Sequence, residues 1–292
     1  MKSRFLSLLK RLLPSTATVF AQESGTCGAH LTWRLSNGTL TVSGAGEMRD
    51  YTYYTHVPWY SSRSSITTVI IGNNVTHIGD YAFYNCSSLT SVTIPESVTS
   101  IGDRAFAYCY SLASVTIPNS VASIGELAFS YCSSLSSVTV PDSVTGIGSN
   151  AFYSCSSLVN IDVHENNTKY ASAGGVLFNN GKTTLIKYPE GKTAAGYTIP
   201  SSVTDIKSNA FSYCRRLASV TIPESVTSIG EGAFYYCHSL TSVTNLNPEP
   251  QAISSTVFGN VTLSEATLYV SAESVKDYEA APVWAGFGTI TA

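Results

Sequence analysis

Residues 89–111 read LTSVTIPESVTSIGDRAFAYCYS, and residues 112–134 repeat them as LASVTIPNSVASIGELAFSYCSS. The unit recurs every 23 residues with the same apolar positions, one proline, one glycine and one cysteine at a fixed position of the repeat. The cysteines show how far this period extends: Cys86, Cys109, Cys132 and Cys155 form one run, and Cys214 and Cys237 another. A unit this short cannot bury its apolar face alone, so neighbouring units must stack to make a core.

Each unit predicts one coil of a solenoid, because L-x-x-V-x-I matches the core of leucine-rich repeats of about 20–29 residues. Pro95 ends a short strand, since proline offers no N–H to a ladder. Gly102 marks a turn that we expect to need a positive φ. Residues 105–109 predict a helical turn. The expected fold is an α/β solenoid: a right-handed leucine-rich-repeat coil with a parallel β-ladder, short helical turns on the outer side, a β-hairpin N-terminal cap and a C-terminal cap.

The chain divides into four predicted segments. Residues 1–21 predict a signal peptide, because basic residues precede an apolar run that ends in Val19-Phe-Ala21; a start-site artefact is the alternative. Residues 22–65 predict a cap built on a hairpin with an Asn37-Gly38 turn. The repeats cover 66–245, and residues 246–292 predict a C-terminal cap containing Trp284.

One interval breaks the period. From Cys155 to Cys214 the chain has 36 residues more than one repeat. Residues 175–189 read as a hairpin around Asn180-Gly181, so a hairpin insertion at about 164–196 should enlarge one coil and protrude from it. Such insertions in solenoids are either tolerated surface excursions or mark the binding face.

The repeat predicts where the cysteines and serines lie. Six of the seven cysteines share one repeat position, where stacked Cβ atoms would be about 4.8 Å apart, too far for the ~3.8 Å that a disulfide prefers. We therefore expect six buried free thiols, with the state of Cys27 left open. A second shared position carries serines whose hydroxyls could bond loop backbone: Ser97, Ser120, Ser143, Ser202 and Ser225.

Composition and motifs argue against several function classes. The formal charge is −3 and no Lys/Arg cluster follows residue 11, so no nucleic-acid partner is expected. No stretch after the N-terminus has the ~20 apolar residues of a membrane span. The five histidines show no metal-ligand spacing, and nucleophile and nucleotide-binding motifs are missing from the sequence. We expect a non-enzyme without cofactor or metal.

The repeat unit resembles the BspA-like leucine-rich repeats of bacterial secreted and surface proteins. The resemblance rests on I-P-x-S-V-x-x-I-G-x-x-A-F-x-x-C-x-S-L across 66–245 and extends to the segments 24–44 and 266–284. It implies a secreted or cell-surface protein with an adhesin-type role, which binds an extracellular or host protein. It carries no defined binding residues that could be transferred to this chain.

Two exposed rows are the candidate ligand-binding surface. Outward strand positions form a hydroxyl array, interrupted once by an amide and a carboxylate: Ser114, Thr116, Ser137, Thr139, Asn160 and Asp162. Four tyrosines share a second repeat position: Tyr108, Tyr131, Tyr213 and Tyr236. Exposed tyrosine is enriched in binding surfaces, but the array could serve solubility alone and the tyrosines could pack between coils.

The function hypothesis is a non-catalytic extracellular protein-binding module that acts as a monomer. The alternative is a structural spacer or glycan-binding module of a secreted assembly. A row of acidic residues, Asp80, Asp103 and Glu126, is either a solvated edge or a contact for a basic partner or Ca²⁺.

Overall fold

The structure is a computed structural model, and it describes residues 23–292. The predicted signal peptide lies outside the described residues. The described chain is a β-solenoid built from many short strands. It contains one α-helix among these residues, α1 at Val275–Ala280, and 3₁₀ turns at Tyr54–His56, Tyr60–Ser65, Leu263–Glu265 and Trp284–Gly286.

The strands are numbered in chain order. They are β1 Glu23–Thr26, β2 Leu31–Ser36, β3 Thr39–Glu47, β4 Thr68–Ile71, β5 Asn74–Ile78, β6 Ser91–Thr93, β7 Ser100–Ile101, β8 Ser123–Ile124, β9 Ser137–Val140, β10 Gly146–Ile147 and β11 Asn160–Val163. The second half adds β12 Tyr170–Ala173, β13 Val176–Asn179, β14 Thr184–Lys187, β15 Gly196–Thr198, β16 Asp205–Ile206, β17 Ser219–Ile222, β18 Ser228–Ile229, β19 Ser242–Asn245, β20 Thr267–Tyr269 and β21 Thr289–Thr291.

Two parallel ladders run along the stack and both begin at β3. Its first half pairs with β4, and its second half pairs with β5. The first ladder contains the V-x-I strands β4, β6, β9 and β11 and then β15, β17, β19, β20 and β21. The second ladder contains the short Ser-Ile strands β5, β7, β8 and β10 and then β14, β16 and β18. The predicted parallel ladder is therefore confirmed, and the second ladder was not foreseen.

The hairpin at the N-terminal end forms around the Asn-Gly turn. β2 and β3 pair antiparallel, and Asn37 and Gly38 between them have φ of 50° and 75°. Two successive positive φ values match the turn that suits the twist of a two-residue hairpin. Because β3 then pairs with β4, the hairpin continues directly into the first ladder.

We call the third side of each coil the turn side. It was predicted to be helical, and it is not. Along residues 104–109, N–H groups bond alternately to the next coil and within the coil. Ala107 N–H donates to Arg104, whereas Phe106 N–H donates 2.8 Å to the carbonyl of Ala128. Arg104 and Tyr108 have φ of 53° and 62°. These left-handed residues interrupt the right-handed φ values that a helix requires, and they turn alternate N–H groups along the stack.

The Ile-Gly glycines also have a different role from the one predicted. None of the equivalents of Gly102 in the described coils, Gly79, Gly125, Gly148 and Gly230, has a positive φ. A Cβ added at Gly125 would lie 2.5 Å from the backbone carbon of Gly102 and 2.6 Å from the amide nitrogen of Asp103. Glycine is required here because adjacent coils approach too closely for any side chain.

A row of stacked rings fills the centre of each half. Trp59, Phe83, Phe106, Phe129 and Phe152 follow one another with centroids 5.1–5.8 Å apart. A second row, in the other half, starts at Tyr188 and runs through Phe211, Phe234 and Phe258 to Trp284. No ring contact joins Phe152 to Tyr188 within the described residues, and the apolar core divides into two clusters at the same place.

The thiol row is present as predicted. All seven cysteines are free and buried. Five of the six repeat thiols donate to a main-chain carbonyl of the preceding coil, as Cys109 does to Phe83 and Cys132 to Phe106, both at 3.2 Å. The serine row also behaves as expected. Ser97, Ser120, Ser143 and Ser225 each donate 2.6–2.7 Å to a valine carbonyl one coil earlier, and Ser202 donates 2.9 Å to Lys182.

The insertion does not protrude as a ribbon. β12, β13 and β14 pair antiparallel, and Phe178, Leu185 and Tyr188 are buried. β14 pairs in parallel with β16, so the hairpin itself supplies one strand of the second ladder. The apolar residues of the insertion are stabilised by burial, and a ribbon that protruded into solvent would leave them exposed. We call the junction between residues 146–156 and residues 184–190 the seam.

The ring row predicts a position-dependent cost of truncation. Phe129→Ala should lower the free energy of unfolding by about 3–5 kcal/mol, because Phe129 has rings on both faces. Phe152→Ala, at the seam, should cost less because one ring face lacks an aromatic neighbour. Urea unfolding of both variants tests this, and a loss below about 1 kcal/mol for Phe129→Ala would show that the register is wrong.

The thiol row predicts alkaline sensitivity. Burial raises the pKa of Cys86, Cys132 and Cys237 to about 12, from 9.0 for a free thiol. A raised pKa means that the folded state excludes the thiolate, so this stability is complete below about pH 9 and is lost as pH rises towards 12. The urea midpoint should fall steadily above pH 9.

Thiol labelling measures how many of the cysteines are free. Native protein should label slowly at pH 8, and denatured, unreduced protein should expose at least six thiols. A count of one or two would mean that the row is oxidised in pairs.

Candidate functional site

The tyrosines predicted to form pairs belong to one continuous surface row. We define the tyrosine ladder as Tyr54, Tyr84, Tyr108, Tyr131, Tyr153, Tyr213 and Tyr236, each in ring contact with the next. Tyr108 and Tyr131 stack in parallel with centroids 4.4 Å apart, and Tyr213 and Tyr236 do so at 5.0 Å. Tyr153 contacts Tyr213 edge-on across the seam at 5.5 Å. The ladder thus spans both halves of the solenoid, which the central ring row does not.

The ladder tyrosines sit on backbone that does not favour tyrosine. Tyr108, Tyr131, Tyr213 and Tyr236 all have φ of 58–62°. A bulky residue in this left-handed region is uncommon, whereas asparagine and glycine adopt it readily. Asn85 occupies the equivalent position in an earlier coil. Backbone preference therefore does not explain the tyrosines, and the rings themselves must supply the reason.

The phenol groups of Tyr84, Tyr131 and Tyr153 are protonated donors at neutral pH. Partial burial and neighbouring phenols raise the pKa of Tyr84 and Tyr131 to about 12, and burial also raises the pKa of Tyr153. The rings are half-buried, with flanking Tyr110 exposed by 43%. A half-buried tyrosine combines an apolar ring with a hydroxyl group, which is the combination found in many protein-binding surfaces.

The hydroxyl array lies where the sequence placed it, on the solvent face of the first ladder. Ser137 and Thr139 pair with Asn160 and Asp162 in register, and all except half-buried Asn160 are exposed. Ser114 and Thr116 are exposed too, although residues 111–118 form no strand. The short turn after Cys109 separates Tyr108 from Ser114, so array and ladder occupy adjoining sides of the coil. Asn160 donates to Asp162, which leaves that carboxylate partly satisfied within the chain.

The acidic row has a structural role. Asp80 accepts a 2.7 Å hydrogen bond from the N–H of Asp103, and Asp103 accepts one of 2.6 Å from the N–H of Glu126. Asp50 starts the row by accepting from Asp80 N–H, and it also contacts His77 at 2.9 Å. These carboxylates fasten one coil to the next. Within residues 23–292, no group of three or more His, Cys, Asp or Glu side chains could hold a metal ion.

A cleft of about 440 Å³ opens where the tyrosine ladder crosses the seam. Tyr131 and Tyr213 form two of its walls, and Arg215 and Arg216 lie at its rim. Glu190, which is 5% exposed, lies at its base and is held by Lys187 at 2.8 Å and by the N–H of Ser154 at 2.7 Å. The Arg215 guanidinium lies 5.7 Å from the Tyr213 ring centre. The cleft therefore adds cationic groups to an otherwise neutral aromatic row.

The four tyrosines selected by their shared repeat position leave out three ladder members. Tyr84 and Tyr153 lie one position earlier in the repeat than Tyr108, and Tyr54 lies in the N-terminal segment before the repeats begin. Their rings nevertheless reach the same row, because a long side chain spans the shift. The spacing of 23 residues between Tyr188 and Phe211 is a signal that could have placed the insertion in register.

Comparisons with known proteins agree with this geometry. A family model described as BspA type leucine-rich repeat region matches six copies, over residues 59–182 and 192–279. No curated protein matches the chain. A leucine-rich repeat protein from Eubacterium ventriosum ATCC 27560 has a similar crystal structure, with a TM-score of 0.68 and 26% identity over 94% of this chain and 85% of that one.

A second solved structure shows the same fold. It is a leucine-rich cell surface protein from Faecalibacterium prausnitzii A2-165, with a TM-score of 0.51 and 24% identity over 92% of this chain and 94% of that one. In the part of this chain that the structure describes, no helix has the length and apolarity to cross a membrane. Since the family model covers well over half of the chain, including most of the repeats, this chain belongs to the BspA-type leucine-rich repeat family.

Proposed function

We propose that this protein is a non-catalytic, adhesin-type binding module, secreted or held at the cell surface, that recognises an extracellular protein through its tyrosine ladder. The observation that carries the proposal is the continuity of the ladder across the seam, where the central ring row stops. A surface row maintained where the core is interrupted is not explained by core packing alone.

Three further features support this proposal. The family is found among bacterial leucine-rich repeat proteins, and the similar protein from Faecalibacterium prausnitzii is named as a cell surface protein. Tyrosine gives a large contact area at low entropic cost, since only two torsions are fixed on binding. The cysteines cannot act as nucleophiles at neutral pH, because burial raises the pKa of Cys109, Cys155 and Cys214 well above 9.0.

A structural spacer is the second candidate, and one observation favours it. Each stacked aromatic pair can contribute about 0.5–1.5 kcal/mol to folding, so the ladder could serve coil cohesion only. The two functions differ in what happens when rings are removed. A spacer loses stability, whereas a binding module loses affinity. The candidate hydroxyl array, including Ser137 and Thr139, would in either case be the neutral floor beside the ladder.

The double variant Tyr108→Asn/Tyr131→Asn separates the two functions. Asparagine suits the left-handed backbone at both positions, so the fold should be retained while both rings are removed. Surface plasmon resonance against purified matrix and serum proteins should give at least one ligand for the unmodified chain. Affinity for that ligand should fall by a factor corresponding to about 2 kcal/mol or more in the variant.

Two controls make this result specific. Ser137→Ala/Thr139→Ala alters the hydroxyl array without touching the ladder, and Tyr269→Ser removes an exposed tyrosine outside the ladder. Unchanged affinity in the ladder variant, together with a lower urea midpoint, would favour the spacer and refute ladder-mediated recognition.

A further inference from the structure

The seam leaves a cavity between its two facing coils. It holds about 290 Å³ and lies between residues 147–153 and residues 186–187 and 207–209. Its apolar lining includes Ile147, Phe152, Leu177 and Ile186. The volume is close to the lower end of the range for small-molecule sites, about 300–1,000 Å³.

Main-chain donors are left unpaired at this junction. In coils before and after the seam, turn-side N–H groups bond the next coil: Leu127 to Ser149, Phe129 to Ala151 and Phe211 to Ala233, at 2.8–3.0 Å. The equivalent N–H groups of the seam coil belong to Asn150 and Phe152. Among the described residues neither has a hydrogen-bond acceptor. Phe152 is 3% exposed, and buried N–H groups are almost always paired, so its N–H calls for an acceptor that the chain does not supply; Asn150 beside it is half-buried.

Side chains have replaced the other missing bonds of the seam. Ile147 N–H donates 2.8 Å to the phenol oxygen of Tyr170, and Ser154 N–H donates 2.7 Å to Glu190. Asn209 donates 3.1 Å from its side-chain amide to the side-chain oxygen of Asn150. The seam is thus fastened on both sides of the cavity, while Asn150 and Phe152, whose N–H groups lack an acceptor among the described residues, line it.

The charges around the cavity favour an anion. Lys187 is buried and neutralised by Glu190 at 2.8 Å. Lys207 lines the cavity, is exposed, and takes part in none of the ion pairs among the described residues. Unpaired N–H donors and an unpaired ammonium group both prefer an ionised acceptor, whose hydrogen bonds are roughly twice as strong as neutral ones.

From this arrangement we infer that the seam cavity binds a small carboxylate with an apolar, ring-sized body. The carboxylate accepts from the N–H groups of Asn150 and Phe152 and pairs with Lys207. The body lies against the free face of the Phe152 ring, where the next coil offers no stacking partner. This site shares Tyr153 with the tyrosine ladder but not Tyr108 or Tyr131, where the proposed function is tested, so its failure would leave that function untouched.

Titration calorimetry of the full chain with 3-phenylpropionate tests the site. The acid should bind one to one, and its neutral counterpart 3-phenylpropionamide should bind at least about tenfold more weakly, since it lacks the charge. Bound acid should also slow hydrogen exchange at the amides of Asn150 and Phe152.

Three variants locate the binding. Lys207→Ala should weaken the acid about tenfold and leave the amide unaffected, because an exposed side chain is removed without disturbing the core. Ile186→Phe should fill the cavity and abolish binding of the acid. Lys276→Ala, the same charge change on the distant helix α1, should leave binding unchanged.

The proposal is overturned by any of three results. The first is that the acid does not saturate the protein below about 10 mM, since a millimolar dissociation constant is already at the weak end of specific binding. The second is that acid and amide bind with equal affinity. The third is that binding is unaltered in an Ile186→Phe protein whose circular dichroism spectrum is native.

Discussion

The fold depends on how closely one coil can approach the next. On the turn side, half of the N–H groups close turns within their own coil and half reach carbonyls of the following coil at 2.7–3.0 Å. This alternation requires left-handed residues at two positions of every coil and glycine where backbones meet, as at Gly125. It holds successive coils in a fixed register, and that register stacks phenylalanines and cysteines in the interior. Stability of such a stack is carried by nearest-neighbour interfaces rather than by any one coil.

The insertion shows what happens when this spacing is broken. The hairpin of β13 and β14 enters the second ladder and supplies Tyr188 as the first ring of a new central row. The regular bonds of the turn side are replaced by the Lys187–Glu190 pair and by side-chain amides. A buried ion pair of this kind is weak evidence for stability but fixes geometry. The seam is consequently the one junction in the described chain where an aromatic surface row, a cavity and buried charge occur together.

The sequence reveals the parts of this structure that repeat, and it conceals those that depend on contact between coils. The 23-residue period was sufficient to predict the solenoid, the parallel ladder, the free thiols and the hydroxyl bonds of Ser97 and its equivalents. The turn side was predicted as helical from the Ala-Phe-x-x-Cys pattern of residues 105–109, and nothing in that pattern indicates a positive φ at Arg104 or Tyr108. Their conformation is imposed by hydrogen bonds to the next coil. The protruding ribbon was wrong for a similar reason: a hairpin motif does not reveal that Phe178 and Leu185 complete a neighbouring core.

Candidate surface positions were foreseen only where they share the repeat. Tyr108 and Tyr131 were identifiable by spacing, whereas Tyr153 joins the ladder through side-chain reach across an irregular junction. The unpaired N–H groups of Asn150 and Phe152 could not be predicted from the sequence. They arise because the next coil in the stack does not place carbonyl groups within hydrogen-bonding distance of them. The strained tyrosine backbone and the seam are therefore the two places where function, rather than folding alone, can be sought.

Amide hydrogen exchange, resolved by residue, tests the central claim that coil-to-coil bonding on the turn side holds the regular coils together and is interrupted at the seam. We predict slow exchange for the N–H groups of Phe106, Phe129 and Phe211, which bond to the next coil. We predict fast exchange for those of Asn150 and Phe152 in the ligand-free protein. Equal protection at Phe129 and Phe152 would mean that the coils are bonded across the seam, and would contradict the account.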